Sequence, residues 1–565
     1  MALVKFEDFS FISSDKEILS DINIEVDEGE FVLICGPSGS GKTTLLSHLK
    51  KELRPNGKIK GKILLDSVDI RDLDDTKSAT DVGFLFQNPD NQLVTDTVIQ
   101  EVAFPLENIG METEEIRNRI AEMTAFFGLD RLLYKNVNEL SGGEKQLVNL
   151  CSLLVLKPKL LLLDEPTSQL DPIASYEFLT ILRRLNEEFS ITIMINEHSV
   201  NNIFPFADKV IFLNNGSVEY FHTKQDIIQE VANDEVFKFY LPDVSKISLL
   251  LRKKYPKLKD EKTAISIREG RKLLNKIADE LEVFPKNTNK TLSEDCPYYN
   301  NEELIKTNGL YFAYNKDNII LKDIEFSIKQ GEFIGIVGGN GSGKTTLIQL
   351  LAGLLKPVKG KIMRKDIKIA YLYQNPMIHF SKETVKKELS LDGETELNNK
   401  AKLKGRVGLN NKNQINHGTR LNDETRKLLK FFNIEHLIDQ NPYDCSGGEQ
   451  QKIAIIKSLI KKPDILILDE PSKGLDPISK HNLAKELQTL QSDDLTIVMT
   501  SHDLSFVANY CHRCIMLFDG GIQVDNDPKE VFAENNFYTT FVNRLVKDYI
   551  PNGVVLDDVK EKWNL

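Results

Sequence analysis

The sequence predicts an α/β fold made twice: two tandem domains, each with a mostly parallel sheet, an antiparallel β edge and a helical part. Three observations predict it. A glycine-rich phosphate loop occurs at residues 36–43 (GPSGSGKT) and again at residues 338–345 (GGNGSGKT). Each loop follows an apolar run, FVLIC or FIGIV, and opens a helical pattern at Lys42 or Lys344, the strand–loop–helix order of a phosphate-binding turn. Each is then trailed by the same motifs in the same order. The first copy runs Gln87 in FLFQNP, LSGGEKQ from Leu140, LLLLDEP to Pro166, SQLD from Ser168 and His198 in NEH. The second runs Gln374 in YLYQNP, CSGGEQQ from Cys445, LILDEP to Pro471, KGLD from Lys473 and His502 in SHD. Lys344 lies 302 residues after Lys42, Ser446 305 after Ser141, Asp469 305 after Asp164 and His502 304 after His198, so a module of about 300 residues is duplicated.

Taken in order, residues 4–9 and 305–312 read as opening strands, and a hairpin-like pattern leads into the buried strand before each phosphate loop. Apolar runs at 160–163, 191–195, 465–468 and 496–499, separated by helical patterns, point to a mostly parallel, doubly wound sheet. Between the copies, SIREGRKLLNKIADELEV predicts a helical extension, and the polar PKNTNKTLSEDCPYYNNEE a flexible linker. The expected division is a first domain over 1–222, extension and linker over 223–303, a second domain over 304–545 and a C-terminal tail over 546–565. The second copy carries extra length in the polar stretch 392–422, read as a surface insertion, with disorder as the open alternative.

Composition narrows the class. A net charge of −12 does not favour a nucleic-acid partner. No apolar run approaches the ~18 residues of a membrane span, and the start MALVKFEDFS lacks the apolar centre of a signal peptide, so a soluble cytoplasmic chain is expected. Six scattered cysteines make no disulfide framework. Cys511 and Cys514 form a CxxC, but the aligned FADKV of the first copy has none, which favours packing over metal or redox work.

The motifs imply specific chemistry. Gly36, Ser38, Gly39 and Gly41, like Gly338, Asn340, Gly341 and Gly343, turn backbone N–H groups toward an anion, while the helix behind, with Thr44 or Thr346, adds its positive end. Lys42 and Lys344 then reach the β- and γ-phosphates. Thr43 and Thr345, with Asp164 and Asp469 at strand ends, suit Mg²⁺; Glu165 and Glu470 suit orientation and deprotonation of an attacking water. His198 and His502 suit a γ-phosphate contact, and Gln87 and Gln374 a contact to both metal and water. A merely structural glycine turn, or a histidine simply satisfied in the core, accounts poorly for the full set. Phe11 and Tyr314, before the two loops, suit stacking on adenine, with ordinary packing as the alternative.

The combination of glycine loop, Gln loop, SGGE, DEP and His resembles the ATPase modules of ATP-binding-cassette (ABC) proteins over nearly all of 1–222 and 304–545. That resemblance implies ATP and Mg²⁺, and two modules facing head to tail. Ser446, Gly447 and Gly448 would then complete the site of Lys42, and Ser141, Gly142 and Gly143 that of Lys344. ATP closes such a sandwich and hydrolysis opens it. More narrowly, FQNPDNQLVTDTVIQEVAFPLEN, DEPTSQLDPIAS and the extension FYLPDVSKISLLLRKKYPKLKDEK are similar to the fused, duplicated ATPase of energy-coupling-factor importers for vitamins and transition-metal ions. The resemblance implies peripheral attachment at the cytoplasmic face of the membrane, an integral membrane scaffold subunit, a substrate-binding membrane subunit and no nucleic acid. It makes Asp90, Asn91, Gln92 and Asp96 candidates for the scaffold's groove. Two departures stand out: Cys445 replaces the usual leucine, and QNPMIHFSKETV has Met377 where the first copy has the acidic Asp90. With INEH against TSHD, these hint at unequal sites. The alternative is a soluble tandem cassette acting on ribosomes or nucleic acid, against which the joining segment is not predominantly basic.

Overall fold

The apolar runs ahead of the phosphate loops form central strands of two separate sheets. The structure, a computed structural model, describes residues 2–281, 302–315, 318–390, 421–491, 495–536 and 538–565. It divides into two units, one gathering described residues from Met1–Lys290, Asp476–Ser479 and Asn535–Leu565, the other from Thr291–Leu475 and Lys480–Glu534.

In the first unit the strands are β1 (Ala2–Ser13), β2 (Lys16–Asp27), β3 (Phe31–Cys35), β4 (Lys58–Leu65), β5 (Val68–Asp69), β6 (Val82–Leu85), β7 (Leu160–Asp164), β8 (Thr192–Asn196), β9 (Lys209–Asn214) and β10 (Ser217–Thr223). One sheet runs β10-β9-β3-β8-β7-β6, parallel except for the β9–β10 hairpin; an antiparallel sheet runs β2-β1-β4-β5. Strands β3, β7 and β8 are buried at every position, as expected of a parallel sheet covered on both faces. Phe31, Leu33, Leu161, Leu163, Ile193 and Ile195 pack toward helices such as Gly142–Leu154 and Pro172–Phe189. The alternate residues Val32, Ile34, Leu160, Leu162 and Met194 pack toward the antiparallel sheet.

The second unit repeats the plan with β11 (Glu303–Asn315), β12 (Asn318–Lys329), β13 (Phe333–Val337), β14 (Lys359–Arg364), β15 (Ile369–Leu372), β16 (Ile465–Asp469), β17 (Thr496–Thr500), β18 (Arg513–Phe518) and β19 (Gly521–Asn526). Its sheets run β15-β16-β17-β13-β18-β19 and β12-β11-β14, the second one strand shorter than its counterpart among the described residues. The mostly parallel sheet with an antiparallel edge is therefore present in both units, as the sequence predicts. Cys511 and Cys514 are buried thiols with burial pushing both up, which suits packing.

The extension is helical over Asp243–Lys254 and Ile267–Leu281. The segment expected as a C-terminal tail is not separate from it. Helices Phe541–Val546 and Leu556–Trp563 share one core with the extension, built on Val244, Ile247, Leu274, Leu545, Val559 and Trp563. A Cβ at Gly270 would meet Leu545 at 2.6 Å and Val244 at 2.9 Å, so the bare backbone permits this approach. Arg271 adds two bonds to the Arg544 carbonyl, at 3.0 and 2.6 Å. The linker reading at residues 285–301 and the insertion reading at residues 392–420 fall outside the described residues.

Candidate functional site

Four neighbouring parallel strands carry the predicted residues of the first unit at their C-terminal ends. The phosphate loop leaves β3, His198 follows β8, Asp164 ends β7 and Gln87 follows β6, in the spatial order β3-β8-β7-β6. In the second unit β13, β17, β16 and β15 do the same for the second loop, His502, Asp469 and Gln374. In an open α/β sheet that edge is where ligands bind.

The phosphate loops need their glycines. Gly36 and Gly338 have φ of 151° and 157°, and a Cβ would meet the Leu213 carbonyl oxygen at 2.0 Å or that of Leu517 at 2.4 Å. Gly39, Gly41, Gly341 and Gly343 also take positive φ. Lys42 Nζ donates to the Gly36 and Pro37 carbonyls at 2.8 and 2.9 Å, and Lys344 Nζ to those of Gly338 and Gly339 at 3.0 Å each, so both ammoniums lie along their loops. Ser38 donates from N–H and hydroxyl to Asp476, at 3.2 and 2.7 Å; Asn340 is exposed on its loop.

The metal candidates converge. Thr43 Oγ1 donates to Asp164 Oδ1 at 3.0 Å and Thr345 Oγ1 to Asp469 Oδ1 at 3.2 Å. Burial pushes both aspartate carboxyls up, a cost that a divalent cation beside them offsets. A hydroxyl and carboxylate oxygens are the donor types Mg²⁺ takes, so these residues fit it. Asn196 at 2.7 Å and Thr500 at 2.6 Å also donate to the same aspartate oxygens, and Tyr371 donates to Asp469 Oδ2 at 3.3 Å.

Glu165 and Glu470 have left-handed backbones, φ 45° and 49°, which costs a residue other than glycine roughly 1–2 kcal/mol. The same conformation recurs in both units at the residue that follows the buried aspartate. Each carboxylate is clamped. Gln87 Nε2 donates to Glu165 Oε2 at 2.7 Å and His198 Nε2 stands 2.8 Å from Oε1; Gln374 and His502 stand 3.3 and 2.6 Å from the equivalent oxygens of Glu470. Burial opposes ionisation, yet the adjacent imidazoles, with Lys42 for Glu165 and Lys473 and Lys344 for Glu470, hold both carboxyls below their ordinary value. The sequence assigns Gln to metal and water and His to γ-phosphate; the structure shows all three side chains meeting at the glutamate.

Ser141 and Ser446 head helices Gly142–Leu154 and Gly447–Leu459, exposed, each donating its N–H and hydroxyl to Glu144 or Glu449. A Cβ on Gly447 would meet nothing within 4 Å, and one on Gly142 only the Gln169 oxygen at 3.9 Å. Packing does not require these glycines; their bareness leaves helix-end N–H groups open to an anion, together with Gly143 and Gly448.

The adenine assignment of Phe11 is corrected. Its ring is 1% exposed and set edge-on 4.4 Å from His48. The register explains why: Phe11 lies opposite Leu19 as Phe312 lies opposite Leu321, so its counterpart is buried Phe312 and not Tyr314. Tyr314 is 59% exposed, with its hydroxyl 3.2 Å from Thr346 Oγ1. Among the groove candidates, Asp90, Asn91 and Asp96 are exposed, and Asp90 pairs with Lys145 at 2.6 Å. Gln92 is instead a brace, accepting from the Phe86 N–H and donating to the Phe84 carbonyl; His379 Nε2 accepts from the Tyr373 N–H in the same way.

The sequence reading missed two sets of supports. Buried Glu101 accepts from the N–H of Val94 and of Thr95 and from the Thr95 hydroxyl, at 2.8–3.0 Å, and Glu388 accepts from Ser381 and Lys382 N–H. Each lies fourteen residues after its Gln, a repeat visible in the text. Buried Glu197 accepts from the N–H groups of Thr167, His198 and Ser199, tying the strand end at Glu165 to the histidine turn; Ser501 stands there in the second copy.

Known proteins share these features. The family model described as ABC transporter matches residues 19–168 and 321–473. A Bacillus anthracis protein carrying the name ABC transporter ATP-binding protein is 40% identical over 577 residues, 99% of this chain and 98% of its own. One from Clostridium tetani is 31% identical over 461 residues, 80% of this chain and 96% of its own. Among solved structures, an archaeal ribosome recycling factor bound to a ribosomal stalk protein matches with TM-score 0.57 and 23% identity, over 93% of this chain and 91% of that chain, a likeness of fold alone.

Proposed function

The chain belongs to the ABC transporter family as a tandem ABC ATPase, and on that premise we propose that it is the ATP-hydrolysing energising subunit of a membrane importer of the energy-coupling-factor type, for a vitamin or a transition-metal ion. The observation that carries the ATPase reading is the clamped, low-lying glutamate beside a phosphate loop in both units. Glu165 and Glu470 accept the proton of the attacking water, held on line by Gln87 or Gln374; His198 and His502 stabilise the carboxylate and face the phosphate edge. Lys42 and Lys344 swing from loop carbonyls to phosphate oxygens. Thr43, Asp164 and Gln87, or Thr345, Asp469 and Gln374, would hold Mg²⁺, which would supply positive charge to the β- and γ-phosphates. Ser141 and Ser446, with their glycines, then close over the nucleotide of the opposite cassette, an intramolecular pairing that ATP favours and hydrolysis releases.

The importer reading is supported by the exposed Asp90, Asn91 and Asp96, the exposed Val94 among them, and the sequence text that surrounds them. No helix among the described residues is long and apolar enough to cross a membrane, so a transport role requires separate membrane subunits. A tagged chain extracted in mild detergent is expected to retain an integral membrane scaffold and a small substrate-binding membrane protein. Recovery of the chain alone, or with ribosomes through moderate salt, would overturn the importer reading and leave the ATPase reading standing.

A further inference from the structure

Behind the first phosphate loop, on the antiparallel sheet of the first unit, His48 is fully buried between the edges of Phe9 and Phe11. Its Nδ1 stands 2.8 Å from the Thr44 carbonyl oxygen. A carbonyl only accepts, so Nδ1 carries the hydrogen; burial disfavours the charged ring, and the neutral ring turns a lone pair outward at Nε2. That nitrogen, sealed from solvent, has no protein partner, and neither do Nε and Nη2 of Arg54. All three atoms belong to side chains lining one cavity of about 10 Å³, with Lys62, Asp69 and Arg71. Asp69 makes no hydrogen bond to these Arg54 atoms and is engaged through both oxygens by Arg71, at 2.9 and 2.6 Å. Buried groups of this kind are nearly always satisfied, and the missing partner must donate to His48 while accepting from Arg54.

We propose that this pocket binds a small oxyanion carrying a hydroxyl hydrogen, of the chemistry of hydrogen phosphate: the hydroxyl donates to His48 Nε2, and oxygen lone pairs accept from Arg54 Nε and Nη2. The cavity seats one oxygen, and the rest of the anion lies at the mouth, where Lys62 and Arg71 are exposed. Three cations against one carboxylate give the lining the sign an anion needs. Among the described residues the second unit has no such place: Leu350 stands where His48 would, six residues after the phosphate-loop lysine, and its antiparallel sheet shows no counterpart of β5, which carries Asp69. His48 also bonds the Thr44 carbonyl through its own N–H at 3.2 Å, so the occupant sits one side chain from the helix that begins at Lys42. If the chain hydrolyses ATP as read above, its product phosphate is a ligand of this site; the binding itself does not depend on that reading.

The test is calorimetric titration of the full chain near neutral pH, with both nucleotide sites first saturated by a non-hydrolysable ATP analogue and Mg²⁺. Phosphate is expected to bind once per chain. Sulfate, of the same shape but without a hydrogen to give, is expected to bind about tenfold more weakly. Arg54→Met and His48→Leu are each expected to abolish the phosphate signal while leaving analogue affinity unchanged, which also reports that the variant is folded. Either variant suffices if the other folds poorly. No saturable phosphate binding (a bound water only), equal affinity for phosphate and sulfate, or binding retained in a folded variant would each overturn the proposal.

Discussion

Lys473→Ser should speed the second catalytic centre. Lys473 Nζ lies 3.7 Å from Glu470 Oε2, the two side chains 21% and 10% exposed. The first copy has Ser168 there, its hydroxyl donating to the Glu165 carbonyl at 2.8 Å. Two unit charges at that separation attract by roughly 4–5 kcal/mol at an effective dielectric of about 20. Water reaching the lysine, and the His502 imidazole already holding the other oxygen, leave about a third of that, about 1.4 kcal/mol. The cation holds the Glu470 carboxyl down and makes it a weaker base, so removing it raises the carboxyl toward its ordinary value. With Glu165→Gln silencing the first centre, Lys473→Ser is expected to raise steady-state phosphate release up to about tenfold and to move the acid limb of the pH–rate profile upward. Turnover unchanged or lowered, with the acid limb unmoved, would refute the assignment of Lys473 as a brake on Glu470.

Glu165→Gln and Glu470→Gln together should retain ATP binding and lower turnover by at least about a hundredfold, as removal of a general base does; radiolabelled ATP staying with the chain through gel filtration checks this. Phe11→Ala should cost about 3–5 kcal/mol, as a buried phenylalanine does, and lower the unfolding midpoint with nucleotide affinity intact, whereas Tyr314→Ala should weaken adenine-nucleotide binding at the second centre with little change in stability. Because Glu165 is held below its ordinary value, its contribution to stability is fully present above the unfolded carboxyl pKa of about 4.3 and is lost as pH falls through the folded value. His198→Ala removes the main group holding it down, so acid unfolding followed by far-ultraviolet circular dichroism should begin at higher pH than in the unmodified chain.

The convergence of the candidate residues is legible because they sit where apolar strands end: Asp164, Glu165, His198 and Gln87 each follow a strand-like apolar run, and adjacent strands bring them together. Phe11 was misjudged because counting back from the loop ignores the irregular register of β1 against β2, which sets it opposite Leu19 and turns the ring inward. The clamp of Gln and His on each glutamate was not legible, since it depends on backbone twist at Glu165 and Glu470 and not on residue type. The C-terminal helices were missed for another reason. LDDVKEKW looks like a solvated end, and only the spacing of Val559 and Trp563, four apart, hints at a buried side whose partners lie some three hundred residues earlier. Those partners carry no local signal.

Gly270 and its close neighbour Leu545 bear on how this gene can be cut. The duplication suggests two interchangeable halves, but a stop codon placed between them would strip Leu545, Val559, Trp563 and their C-terminal neighbours from a core whose remaining members precede residue 282. The amino-terminal product would expose an apolar scar, and the carboxy-terminal product would carry helices with nothing to cover them. Cut in that way, neither product keeps this core whole.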